Sequence, residues 1–190
     1  VSRLEDHGIK KDIEEKVLTK LEETIQNLDA IVISDFVYGV ITENVKNKIE
    51  TLAEKYGIKL IADIQCSSQV GLITKFKNYH MICPNEKEMR IALQERELGL
   101  EKVCQKIIKE TSCDKLIAKI GHNGFIAYEY GNKSQIISQA FPAMSTNPLD
   151  VAGAGDSLLA AMAIGVASNQ EMMISAAIAC LITELSVEQI

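Results

Sequence analysis

Four short apolar runs alternate with amphipathic helical stretches along this chain, and that alternation restricts its fold more than any other feature. "DAIVISD" (29–35), "LIADI" (60–64), "YHMICPN" (79–85) and "KLIAKIG" (115–121) have strand length and are largely apolar on both faces. Helical patterns lie around and between them: residues 12–27, with Ile13, Val17, Leu21 and Ile25 at helical spacing, then 42–55, 86–94 and 100–111. A strand apolar on both sides needs cover on both sides, and repeated helix–strand order builds a largely parallel sheet between two helical layers. The pattern therefore predicts an α/β sandwich. After residue 121 it changes: "GFIAYEY", the turn "GNK" and "SQIISQA" predict a hairpin at the sheet edge. "FPAMSTNPLD" is a connector in which Pro142 and Pro148 exclude helix, and two helices follow it. No repeat, low-complexity tract or linker divides the sequence, so residues 1–190 read as one unit.

Composition narrows the class. With 190 residues, 47% of them apolar and 24% charged, the chain can bury a sizeable core. A net charge of -6 and the lack of a dense Lys/Arg block argue against a nucleic-acid surface. Five cysteines, at 66, 83, 104, 113 and 180, form no CxxC pair and sit mostly in apolar runs, as reduced core cysteines of a cytoplasmic protein do. The longest apolar helical stretch, 157–167, is broken by "SNQE" and is too short for a bilayer, so no membrane partner is expected. "VSRLEDHGIKKDIEEK" lacks an initiator methionine and the apolar core of a signal peptide, and reads as the interior of a longer protein.

In open α/β sheets ligands lie beyond the carboxyl ends of the strands. Asp35, Asp63, Asn85 with Glu88, and Gly121 fall on those ends or just past them. Several familiar sites are excluded. The chain has no GxxxxGK[ST] loop, and "GAGDSL" fails the dinucleotide fingerprint because leucine holds the third glycine position. No GxSxG surrounds Ser157, and His7, His80 and His122 lack metal-binding spacing. His80, on an apolar strand, reads as packed, and His122, in "GHNG", as a surface residue.

"DVAGAGDSLLA" (150–160) carries the chemistry. Free N–H groups and the positive dipole end make a helix start an anion site, and Gly153, Ala154 and Gly155 let a ligand approach their amides closely. Such amides suit charge that develops during reaction, as on a phosphoryl group in flight. Asp156 then serves as general base for the attacking hydroxyl while the amides receive the transferring group. The bland alternative is a tight turn with an acid favouring the helix dipole.

The same stretch closely resembles the D-T-x-G-A-G-D-x-F signature of the ribokinase/PfkB carbohydrate kinases, with Val151 and Leu158 in place of threonine and phenylalanine. The resemblance implies a ribokinase-like αβα sandwich that transfers the ATP γ-phosphate to a sugar hydroxyl, with Asp156 as base and Gly153, Ala154 and Gly155 as anion hole. "PNEKEM" is similar to the family's N-x-x-E motif, which implies that Asn85 and Glu88 organise Mg²⁺ through water; they equally fit a capping box. "KIGHNG" resembles T-x-G-x-x-G and implies nucleotide contacts at Lys119, Gly121 and Gly124, with Asp150 also at the nucleotide. "SDFVYGVIT" resembles the "SDYGKGVLT" segment of heptose-phosphate kinases, the kinase half of bifunctional ADP-heptose synthases. "ADIQCSS" departs from their D-P-K stretch.

The match covers the later part of the family pattern. The early strands, the Gly-Gly signature and the lid over the sugar have no counterpart here, and the expectation is the C-terminal part of a kinase domain. Implied cofactors are ATP and Mg²⁺, with a monovalent cation as a further candidate. The implied partner is a sugar or sugar phosphate, and the full-length enzyme is expected to be a homodimer. The isolated chain is expected to bind adenine nucleotide weakly and to phosphorylate no sugar. Two other readings stay open: a non-catalytic nucleotide- or partner-binding module of this fold, and a vitamin kinase of the same superfamily.

Overall fold

The computed structural model describes residues 7–65, 71–130, 135–144 and 153–188. Six strands form one sheet in sequential order: β1 (Ala30–Asp35), β2 (Lys59–Ile64), β3 (Met81–Ile82), β4 (Lys115–Lys119), β5 (Phe125–Tyr130) and β6 (Ile136–Phe141). The first four are parallel; β5 and β6 run antiparallel as the expected hairpin, with β6 at the edge. On one face lie α1 (Lys11–Thr24), α2 (Glu43–Tyr56), α3 (Glu86–Leu93) and α4 (Leu100–Thr111). The other face carries α5 (Ala154–Ala167) and α6 (Met172–Glu188). Two apolar clusters follow: Leu60, Ala62, Ile64, Leu116 and Ala118 pack toward α1–α4, while Ile61, Met81, Ile117 and Ala127 pack toward α5 and α6.

Local chemistry sets the helix ends. Thr42 caps α2 through a hydrogen bond from the Val45 amide, and Gly57 closes that helix in the left-handed region. Glu14 of α1 accepts hydrogen bonds from Thr42 and Asn44, tying α1 to the start of α2. Cys83, Cys104, Cys113 and Cys180 are buried and unpaired. Burial pushes the Cys104 and Cys113 thiols up to about 11, so both stay protonated. Among the described residues no helix is long and apolar enough to cross a membrane.

Two strands differ from expectation. The run 79–85 is extended, but only Met81–Ile82 forms a regular ladder. His80 Nδ1 takes the Leu60 amide at 3.1 Å in place of a backbone carbonyl, and Pro84 has no N–H to give. His80 is thus a packed histidine, and burial holds its pKa below the usual value. Strand β1 is less covered on its second face: Ile33 and Asp35 are buried and Ala30 packs on the α5–α6 cluster, whereas Val32 and Ser34 are exposed. Val32 registers with Ile61, so it faces the α5 side, yet it stays exposed on this edge strand. Helix α6 likewise leaves Ile174, Ile178, Leu181, Ile182 and Leu185 about half exposed along one stripe.

Helices α5 and α6 meet closely at Gly165, where a Cβ would stand 2.3 Å from Ser175 Oγ and 2.6 Å from its Cβ. Gly165→Val is expected to force the two helices apart and to cost about 1–3 kcal/mol, the usual penalty of overpacking. Denaturant unfolding measures it; an unchanged midpoint would show that α6 is free to shift.

Candidate active site

Because β1 to β4 are parallel, their carboxyl ends share one edge of the sheet, and the first turn of α5 sits over that edge. Gly153 makes the turn possible with φ 80°, where a side chain would be strained. It is the N-cap residue and offers no side-chain cap. The first intrahelical bond runs from the Ser157 amide to the Gly153 carbonyl at 2.8 Å. The Ala154, Gly155 and Asp156 amides precede it and have no carbonyl within the helix to bond. Among the described residues a Cβ at Gly153 would meet nothing within 4 Å, and one at Gly155 would find Lys119 Nζ at 3.8 Å. Small side chains thus leave room around this turn, and a cation lies close to Gly155.

That cation is held from below. Lys119, the last residue of β4, places Nζ 2.7 and 2.9 Å from the two carboxylate oxygens of Asp63 on β2. Asp63 has 0% exposure and Lys119 18% of its side chain. Burial pushes the Asp63 carboxyl up to about 6, against the pull of Lys119 and of the Ile64 amide and with the nearby Glu88 adding to the rise. Lys119 thus lies beside the first turn of α5.

Asp156 is exposed at the third position of α5. Its Oδ1 accepts a hydrogen bond from Gln65 Nε2 at 2.9 Å. Asp63 and Lys119 were each expected at this edge, but neither their pairing nor a part for Gln65 was read from the sequence. The available signal was the period-two row Lys59, Ile61, Asp63, Gln65, in which one residue is apolar and three are polar within a buried strand. Lys59 completes the row by donating to the Val166 carbonyl at 2.7 Å and to Asn169, at the far end of α5.

Asn85 and Glu88 form the capping box of α3: Asn85 Oδ1 accepts the Glu88 amide at 2.9 Å, and Glu88 Oε2 accepts the Asn85 amide at 2.7 Å. Glu88 is buried, and among the described residues no group of three or more His, Cys, Asp or Glu gathers to hold a metal. With Asn85 Oδ1 and Glu88 Oε2 engaged in the cap, a Mg²⁺ ion would be reached by this pair only through waters that it keeps. Asn85 also bridges Lys119 across the sheet, which puts the cap next to the lysine.

Gly121–Asn123 form a short 3-10 turn directly after β4, closed by hydrogen bonds of 2.9 and 3.0 Å between Ile120 and Gly124 and between Gly124 and Gly121. Gly124, at φ 91°, lies so near the Phe141 carbonyl that a Cβ would stand 2.1 Å away. His122 is exposed. On β1, buried Asp35 pairs with Lys75 and accepts the Val37 amide at 2.8 Å. Val37 there takes φ 62°, a strained conformation for a β-branched residue. Asp150 and Val151 lie outside the described residues.

The Asp63 carboxyl gives the site a pH dependence. An acid raised from its ordinary 3.8 to about 6 holds its proton in the folded chain where the unfolded chain has lost it. The stability this contributes is present below about pH 4 and is lost as pH climbs through about 6. The stability of the unaltered chain relative to Asp63→Asn is therefore expected to fall across that window. Urea unfolding at several pH values checks it; a difference that stays flat would assign Asp63 no part in the pH response.

Comparison with known proteins agrees with this geometry. The family model described as "pfkB family carbohydrate kinase" matches residues 6–190. The bifunctional protein HldE of Sulfurimonas denitrificans is 26% identical over 172 residues, covering 88% of this chain and 34% of the relative. That of Campylobacter jejuni is 28% identical over 176 residues, covering 90% and 36%. The chain thus spans about a third of the length of these relatives. Among solved structures, phosphofructokinase-2 from Escherichia coli in complex with potassium superposes with a TM-score of 0.76 at 17% identity, covering 96% of this chain and 58% of that one. Arabidopsis thaliana ribokinase complexed with ribose and ATP gives 0.69 at 17%, covering 97% and 56%. The strands, the glycine-led first turn of α5 and the family match over residues 6–190 agree, and the chain belongs to the pfkB family of carbohydrate kinases.

Proposed function

We propose that this chain is the catalytic, nucleotide-binding portion of a kinase that moves the γ-phosphoryl group of ATP onto a hydroxyl of a sugar or sugar phosphate. The observation that carries the reading is the first turn of α5, where an exposed carboxylate, amides with no partner within the helix and a lysine amine converge. The acceptor hydroxyl gives its proton to Asp156 as its oxygen bonds to the γ-phosphorus. The bond from that phosphorus to the β-bridging oxygen breaks, and ADP leaves with its electron pair. The Ala154 and Gly155 amides, shaped by the Gly153 turn, face the charge on the transferring group, and Lys119 adds a full positive charge beside them. Gly121 and Gly124 shape the adjoining nucleotide loop, and Asp150 is assigned to the nucleotide by the family motif. Mg²⁺, when bound, would neutralise phosphate oxygens, with Asn85 and Glu88 holding its water shell.

The acceptor belongs on the β1 side of Asp156, where Gln65, Asp35 and Lys75 succeed one another away from the nucleotide loop. The HldE relatives, together with the resemblance of "SDFVYGVIT" to heptose-phosphate kinases, favour a heptose phosphate as that acceptor.

Asp156→Asn in the full-length protein is expected to lower kcat by at least about 10²-fold and to leave ATP affinity nearly unchanged, since general-base loss costs roughly 10²–10⁴ in rate. ADP release over a panel of sugars and sugar phosphates measures turnover, and calorimetry measures ATP affinity. Unimpaired turnover would remove Asp156 from the chemistry. Replacing Asn85 by Ala and Glu88 by Gln together is expected to raise the Mg²⁺ concentration for half-maximal rate. A stability loss of about 1 kcal/mol with an unmoved metal titration would reduce the pair to a helix cap.

A further inference from the structure

We infer that Gln65 is a positioning residue that holds the general base away from the anion-binding amides of its own helix. The inference rests on the kinase reading of the same site and adds to it a residue of the "ADIQCSS" stretch, which departs from the D-P-K segment of heptose-phosphate kinases.

An aspartate at the third position of a helix sits within reach of the unpaired amides before it, and the positive dipole end attracts its charge. Left to itself, the Asp156 side chain can fold back over the nest that a phosphate has to occupy. Gln65 Nε2 takes Oδ1 at 2.9 Å and draws the carboxylate toward the end of β2. Among the described residues this is the one side-chain hydrogen bond that Asp156 receives. It leaves the second oxygen available to a hydroxyl.

Gln65 can do this because its own backbone is fixed. Its amide donates to the Asp35 carbonyl at 2.9 Å, one step past the last residue of β2. The period of two then puts its side chain on the same face as Ile61 and Asp63. Ile61 packs in the α5 cluster, and Asp63 holds Lys119 beside Gly155. Two neighbouring residues on one face of β2 thus govern opposite charges on one helical turn. Asp63 places the cation at the amides, and Gln65 places the carboxylate beside them.

The test uses the full-length protein, assayed by ADP release with MgATP and the sugar and sugar-phosphate panel. Gln65→Leu, which removes the donor, and Gln65→Glu, which sets a second carboxylate against the first, are both expected to lower kcat about 10- to 100-fold, the scale set by small misplacements of a catalytic group. With Asp156→Asn already present, Gln65→Leu should change the residual rate by less than about threefold, because its effect runs through the carboxylate. Thermal unfolding of each variant, with Gln65→Glu as the nearly isosteric check, separates this from a general loss of structure. Unaltered kcat in both Gln65→Leu and Gln65→Glu, or the same drop with and without Asp156, would overturn the inference while leaving the kinase reading in place. Unimpaired turnover in Asp156→Asn alone would overturn both.

Discussion

One row of four side chains on β2 fixes where α5 lies, and the rest of the site depends on it. Lys59, Ile61, Asp63 and Gln65 point to the same face because strand side chains alternate. Lys59 binds the last turn of α5, where its charge also complements the negative end of the helix dipole. Ile61 lies in the apolar cluster beneath the helix, Asp63 holds the lysine beside its first turn, and Gln65 binds Asp156. Over roughly 20 Å of strand, the row follows a helix running the opposite way. The helix cannot slide along its axis without breaking a bond at one end or the other. A nearly featureless apolar helix, which by itself could pack in several registers, is thereby given one.

The Asp63–Lys119 pair is hard to explain as glue. Removing a carboxylate and an ammonium from water costs several kcal/mol per ion, and apolar side chains of similar volume commonly pack as well or better. The rise of the Asp63 carboxyl shows that burial outweighs the attraction of its partner. What the pair provides, and an apolar contact would not, is a directed positive charge at the mouth of the amide nest. It is partly exposed and firmly held. Asp35 and Lys75 repeat the device at the end of β1, joined to β2 through the Gln65 amide. The edge thus carries two anchored cations, one at the anion-binding turn and one on the side assigned to the acceptor.

Much of this was legible in the sequence because local patterns were enough. Continuous apolar runs announced β2 and β4, the turn residues announced the β5–β6 hairpin, and glycines around an aspartate announced the start of α5. Where tertiary context decided, the pattern fell short. The run 79–85 looks like a full strand, but the His80 ring and Pro84 interrupt its ladder. The apolar character of 29–35 implied cover on both faces, yet β1 is an edge strand and its α5 side leaves Val32 exposed. The polar pairs of the site join residues 56, 91 and 107 positions apart, and spacing alone cannot reveal such partners. Their trace was the polar row within a buried strand. Asn85 and Glu88 illustrate the converse: the spacing fitted both a cap and an indirect metal contact, and the observed capping box realises the first, the second being a proposal.

A carboxylate beside an anion site is a contradiction only if both compete for the same amides. Here the sheet separates them laterally. From β4 through β2 to β1 the edge presents the nucleotide loop, the lysine under the amides, the glutamine on the base, and then Asp35 with Lys75. On the proposed reading, the order of the strands becomes an order of chemical roles, from donor through transfer to acceptor. Asp156 would then stand at the boundary, drawn by Gln65 toward the acceptor side, with the positive end of α5 left for phosphate. In the proposed reaction the repulsion between base and phosphate would then be an advantage: once the acceptor proton reached Asp156, the negative charge facing the transferring group would be neutralised as the amides and Lys119 took up the charge on the phosphoryl oxygens.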